Sequence, residues 1–143
     1  MQRKSSAVWK GGLKDGKGTV SSASGVLNNT PYSFSTRFEN TPGTNPEELI
    51  AAAHASCFSM MLAKLLGDAK KTPRDIQTKA SLTLSNASGG WKISKIHLET
   101  EVSGEGLDAE TLKSTASQAK EQCPVSVLLK PGLDSLTMDV KLK

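Results

Sequence analysis

Through the first third of the chain apolar and polar positions alternate in short runs. SAVWKGG, GKGTVSS and YSFSTRF each read as a strand of period two, punctuated by Gly11-Gly12, Asp15-Gly16 and Asn28-Asn29. They predict a small three-stranded meander. In YSFSTRF the alternation puts Tyr32, Phe34, Thr36 and Phe38 on one face and Ser33, Ser35 and Arg37 on the other. Arg37 is therefore expected to point away from the aromatic face.

The pattern changes at TPGTNPEELIAAAHASCFSMMLAKLLGDA. Asn45 can cap a helix, Pro46 suits its first position, and Glu47 and Glu48 lie in the first turn, where carboxylates suit the positive end of the helix dipole. Gly67 is the expected stop. Nearly every position between is apolar or small, which predicts a central helix covered on most sides, with Cys57 in its middle.

Beyond Pro73, TKASLTL, WKISKIHLETEV and the C-terminal LTMDVKL read as strands. In the second, Trp91 and Ile93 share one parity while Ile96, Leu98 and Val102 share the other, so a bulge near Ser94-Lys95 would keep one face apolar. LDAETLKSTASQAKEQCPVSVLLK predicts a helix capped by Asp108 and ended near Gln122 by Pro124, with a short helix restarting just after Cys123. The order of strands, helix, strands, helix, strand implies an α+β fold, and 143 residues without repeat or linker imply a single domain, 1–143.

Composition narrows the function. Eighteen Lys and Arg against fourteen Asp and Glu leave a net charge of +4, with the basic residues scattered and the aromatics spread apart. No nucleic-acid-binding stripe or stacking platform is present. No apolar core of about ten residues follows the basic N-terminus, so no secretory signal is read and a cytoplasmic setting is expected. The apolar stretch over residues 49–66 is interrupted by His54 and Lys64 and reads as too short and too polar for a membrane span.

Two cysteines in a reducing compartment do not suggest a permanent staple; cytosolic disulfides are mostly catalytic or redox-sensing. Cys57 taken alone reads first as small core filler, with a nucleophile as the alternative. Cys123, ahead of a proline-opened helix, sits where the dipole favours negative charge on sulfur. The pair is too far apart in sequence for a CxxC motif. His54 stands one helical turn before Cys57, which leaves a Cys–His pair open, but it reads first as a satisfied interior histidine. Cys57, Cys123, His54 and His97 lack the paired spacing of a zinc site, so no metal is expected. Glu47, Glu48 and Arg37 have ordinary roles as first-turn carboxylates and a solvated strand residue.

The segments TRFE, NPEELIAAAHASCFSMML and CPVSVLLK, with GKGTVSSASGVLNN and PYSFSTRFE before them, resemble the osmotically inducible protein C (OsmC) family, a sister group of the organic hydroperoxide resistance proteins. The resemblance runs essentially end to end. It implies an α+β OsmC-like fold, with antiparallel sheets around a central apolar helix in an intertwined homodimer whose two sites form at the subunit interface. It also implies a thiol peroxidase acting in oxidative or osmotic stress, with organic hydroperoxides preferred and hydrogen peroxide a further candidate. No cofactor or metal is implied as bound. Position by position, Cys57 matches the peroxidatic cysteine, Cys123 the resolving one, and Arg37 and Glu47 the arginine and glutamate that assist them. His54 is outside that set. The external reductant implied is a dithiol, with a lipoylated protein among the candidates.

Elementary chemistry fits these roles. Burial disfavours a thiolate, so a nucleophilic Cys57 needs a cation such as Arg37, whose fork can also hold peroxide oxygens. Ten residues of helix put Glu47 about 15 Å along the axis from Cys57. Glu47 is therefore expected to orient Arg37 through a charge-assisted bond rather than touch the sulfur, unless the helix bends. Phe58, Met60, Met61 and leucines are expected to line an apolar site that suits alkyl hydroperoxides. The reading from a different class is a non-catalytic stress protein that binds an apolar ligand in the same pocket and uses its cysteines as packing.

Overall fold

In the computed structural model, which describes residues 1–143, the N-terminal strands β1 (Ser5–Lys10), β2 (Lys17–Ser22) and β3 (Thr30–Ser33) form the expected antiparallel meander in the order β1-β2-β3. Its register puts Trp9 and Tyr32 on either side of Gly18. A Cβ at Gly18 would lie 2.5 Å from the Tyr32 ring and 2.7 Å from Trp9, so only glycine lets these rings close over the middle strand, their centroids 5.4 Å apart. The chain divides by internal contacts into two compact units, Met1–Leu49 and Ile50–Lys143.

The third strand is shorter than the alternation predicts. YSFSTRF leaves the sheet after Ser33 and turns into the helix α1 (Phe34–Phe38). A capping box drives the change: Thr36 N–H donates to Ser33 Oγ at 3.3 Å, and Ser33 N–H donates to Thr36 Oγ1 at 2.9 Å. Phe34 and Phe38, four residues apart, then stack with centroids 4.8 Å apart. Arg37 follows them, its Cζ 5.1 Å from the Phe38 centroid. The expectation that Arg37 lies on a strand, away from the aromatic face, is overturned.

The long helix α2 (Pro46–Asp68) starts as the sequence implies, Glu48 N–H donating to Asn45 Oδ1 at 2.8 Å. It ends at Asp68, and the residue that reverses the chain lies three positions beyond the expected stop at Gly67. Lys70, at φ 57°, takes the left-handed position usual for glycine, while Lys71 and Lys70 N–H donate to the Leu66 and Gly67 carbonyls at 2.9 Å. Of its side chains, only the stripe His54, Phe58, Leu62 and Leu66 is buried. Met60 is 75% exposed, so the helix is not covered on most sides within one chain. At 23 residues α2 is also long and apolar enough to cross a bilayer, contrary to the shorter stretch read from sequence, yet Phe58, Leu62 and Leu66 belong to the core of the second unit.

That core is closed by a sheet of β4 (Asp75–Ala87), β5 (Gly90–Ser103) and β6 (Ser135–Leu142), and by the helices α3 (Ala109–Gln122) and α4 (Pro124–Leu129). Ile96, Leu98 and Val102 of β5 meet Leu112, Ala116 and Ala119 of α3, together with Cys123. The β4–β5 hairpin carries its irregularity at Ser94: Thr83 pairs with Lys95 and Leu84 with Ile93, so Ile93 joins Ile96 on one face, as the bulge requires. The second sheet is not wholly antiparallel, because β6 pairs parallel to β5. A parallel neighbour needs a long crossover, here α3 and α4.

His54 is wholly buried, its Nε2 2.7 Å from Ser126 Oγ and its Nδ1 without a hydrogen-bond partner. It is thus an interior histidine satisfied on one nitrogen only. Burial holds it below the ordinary imidazole value of 6.5, so as pH falls the unfolded chain takes up this proton first. Stability is at its full value above pH 6.5 and declines as pH falls toward the folded-state value. The carboxylates of Glu101, Asp108 and Glu121, held low chiefly by Lys143, the Thr111 N–H and Lys130 respectively, act in the same sense only at lower pH. Urea midpoints should therefore fall between about pH 7.5 and 5 in the wild type and stay level in His54→Phe; a level wild-type profile would contradict this account of the ring.

Candidate active site

Two pairs of side chains chosen from the sequence meet in space. The first is in the N-terminal unit, where α1 presents Arg37 and the first turn of α2 presents Glu47. Arg37 Nη2 donates to Glu47 Oε1 at 2.7 Å, and Nε donates to Oε1 at 3.1 Å and Oε2 at 3.2 Å. Two guanidinium nitrogens on one carboxylate fix the plane of the fork. Arg37 keeps 36% of its side chain exposed and Glu47 only 13%, so the carboxylate serves as the base and the guanidinium keeps an open edge. Asn45 ties the two elements together, its Nδ2 donating to the Thr36 carbonyl at 3.1 Å. A depression of about 270 Å³ beside Arg37 is lined by Trp9, Leu13, Tyr32, Phe34, Phe38 and Pro46, among others.

The second pair is in the C-terminal unit. Cys57, in the middle of α2, is half-buried; Cys123 is fully buried, and both are free thiols. Cys123 is at once the C-cap of α3 and the N-cap of α4, so its sulfur stands between helix ends of opposite sign. Burial pushes the Cys57 thiol up from its ordinary value, and its hydrogen bond to Cys123 and the charge there push the same way. The Val125 backbone N–H, donating to the Cys57 sulfur, opposes them. The net direction is upward, toward the less reactive thiol.

A groove of about 450 Å³ opens at Cys57, lined by Ser56, Met60, Met61, Lys64 and Pro124. Phe58 is not part of it, contrary to expectation: one residue on from Cys57, it faces the core and is fully buried. Sequence reading also passed over the Val125 N–H and Lys64. The first was signalled by Pro124 at the start of α4, since the opening N–H groups of a helix have no partner within it. The second lies seven residues from Cys57, two turns along one face. No cluster of three or more His, Cys, Asp and Glu side chains is arranged to hold a metal ion.

Residues 38–135 match the family model described as OsmC-like protein. The chain is 50% identical over 143 residues to peroxiredoxin OsmC of Escherichia coli K12, covering 100% of this chain and 98% of that one. The crystal structure of the organic hydroperoxide resistance protein OhrB of Bacillus subtilis superposes with a TM-score of 0.69 at 25% identity, covering 98% of each chain. An OsmC-like protein from Mycoplasma pneumoniae has the same fold at TM-score 0.78 and 16% identity, over 99% of this chain and 97% of that one. With a family match over most of its length and a relative sharing half its residues from end to end, the chain belongs to the OsmC-like protein family.

Proposed function

We propose that the protein is a cysteine-based peroxidase that reduces hydroperoxides, organic ones in preference, to alcohols. The observation that carries this reading is the meeting of two free thiols, Cys57 beside an open groove and Cys123 buried behind it. Membership in a family whose members include a peroxiredoxin and organic hydroperoxide resistance proteins supports it.

The Cys57 thiolate attacks one oxygen of the hydroperoxide and the O–O bond breaks. The departing alkoxide takes a proton and leaves as the alcohol, with Cys57 now a sulfenic acid. Cys123 then attacks that sulfur, water leaves, and a Cys57–Cys123 disulfide remains, which keeps Cys57 off the irreversible oxidation steps. An external dithiol, with a lipoylated protein as one candidate, reopens the disulfide by exchange. No bound cofactor or metal enters the proposed cycle, and the proposed setting is cytoplasmic, where cysteine pairs are mostly catalytic or redox-sensing.

Because burial raises the Cys57 thiol, the thiolate needs a cation. Arg37 is assigned that role: a guanidinium is a planar cation, and its open edge can hold the peroxide oxygens as charge develops on the leaving one. Glu47 holds the guanidinium in plane. Glu47 stands about 15 Å along α2 from Cys57 of its own chain, so the reading includes an intertwined homodimer in which each Arg37–Glu47 pair serves the other protomer's cysteine. The exposed apolar side of α2 supports such a partner surface. The whole chain acts as one domain of that dimer.

Cys57→Ser should abolish peroxide consumption. Glu47→Gln, which keeps the shape but releases the charge-assisted hold on Arg37, should lower kcat/KM for cumene hydroperoxide by about tenfold to a hundredfold. Unchanged turnover in Glu47→Gln would remove Glu47 from the assigned set. The apolar walls at Met60, Met61 and Pro124 should give cumene hydroperoxide a kcat/KM about tenfold or more above that of hydrogen peroxide, which offers no carbon to bury. Equal specificity constants would contradict the assigned groove.

A further inference from the structure

One buried polar contact is left unused by the chemistry above. His54 Nε2 and Ser126 Oγ meet at 2.7 Å, with both residues essentially without solvent exposure. Their placement along the chain is regular. His54 precedes Cys57 by one turn of α2, and Ser126 follows Cys123 by three residues, in the first turn of α4. The hydrogen bond therefore ties together the two segments that carry the sulfurs, one turn away from the point where the sulfurs meet. Between the two contacts, the Val125 N–H donates to Cys57.

The protonation of the ring follows from what surrounds it. Nδ1 is buried without a partner, and a stranded N–H is rarer in proteins than a stranded acceptor. The proton is thus placed on Nε2, which donates to Ser126 Oγ. Both partners are buried, and the bond joins α4 to α2.

We infer that His54 and Ser126 are a positioning pair that sets the approach of Cys123 to Cys57 and so governs closure of the disulfide. The inference rests on the peroxidase reading above. Closure is the step with the tighter geometry: two sulfurs must reach about 2.05 Å with their Cβ–S–S–Cβ angle near a right angle. Peroxide attack asks less of α4, because its other participant is a small diffusing molecule that can follow a shift of Pro124 or Val125, whereas the Cys123 sulfur is fixed to the junction of α3 and α4. In the closing step, Cys57 sulfenic acid and the Cys123 thiol give the disulfide and one water, with no further oxidant.

The test separates the two steps. Reduced wild type, Ser126→Ala and Ser126→Thr are mixed with one equivalent of cumene hydroperoxide, quenched at intervals with a sulfenic-acid trap and analysed by intact mass. Ser126→Ala should form the Cys57 sulfenic acid at a rate within about threefold of wild type but close the disulfide about tenfold more slowly. Under excess peroxide it should accumulate sulfinic acid on Cys57. Ser126→Thr, which keeps the hydroxyl, should restore closure. The inference is overturned if Ser126→Ala closes at the wild-type rate, or if attack and closure slow in parallel, as a general loosening of the fold would produce. Should Ser126→Ala not fold, His54→Gln must show the same split between the steps. A wild type that forms neither sulfenic acid nor disulfide would remove the peroxidase reading and this inference together; a normal wild type beside an unaffected Ser126→Ala would remove the inference alone.

Discussion

Proline at position 124 cannot continue the helix that precedes it, and much of the chemistry in the C-terminal unit follows from that single break. It has no N–H to give to the ladder of α3, so α3 ends at Gln122 and a new helix begins at once. The residue left at the junction is Cys123, buried, with its sulfur beside Cys57. The next two residues reach the same helix: the Val125 N–H meets the Cys57 sulfur, and the Ser126 hydroxyl meets His54. A continuous helix would have used the Val125 N–H in its own ladder.

The local balance at Cys57 explains why the thiol pair alone is not enough. Burial and the neighbouring Cys123 both favour the protonated sulfur, and one backbone N–H opposes them. The chain carries a suitable cation in Arg37, already fixed in plane by Glu47 and propped against Phe38. In the proposed site the carboxylate's part is to orient the guanidinium. In the proposed homodimer the two halves of the chemistry come from different protomers, so a monomer would hold every residue and complete no site.

Local grammar made much of the fold legible. Asn45 and Asp108 cap the helices they were expected to cap, Pro124 breaks α3 where it should, and Ser94 is the bulged residue that brings Ile93 onto the face of Ile96. The failures have particular causes. Phe34 and Phe38, four apart, fit a helix turn as well as a strand of period two, and the Ser33–Thr36 capping box that decides between them was passed over. The direction of β6 depends on the crossover through α3 and α4, which no property of LTMDVKL encodes. An almost uniformly apolar α2 cannot announce which stripe is buried; the spacing of His54, Phe58, Leu62 and Leu66 becomes meaningful only once β5 and α3 are in place. Cys57, Cys123, Arg37 and Glu47 were singled out through the resemblance to a family, whereas the contact of Ser126 with His54 needed coordinates.

The most direct test of the account is intact mass after one equivalent of cumene hydroperoxide is added to reduced wild type and to Cys123→Ser. The account predicts loss of two hydrogens in the wild type and a trapped sulfenic acid on Cys57 in the variant. Unchanged masses in both folded, reduced proteins would mean that Cys57 and Cys123 are packing and that the peroxidase chemistry assigned to them is wrong.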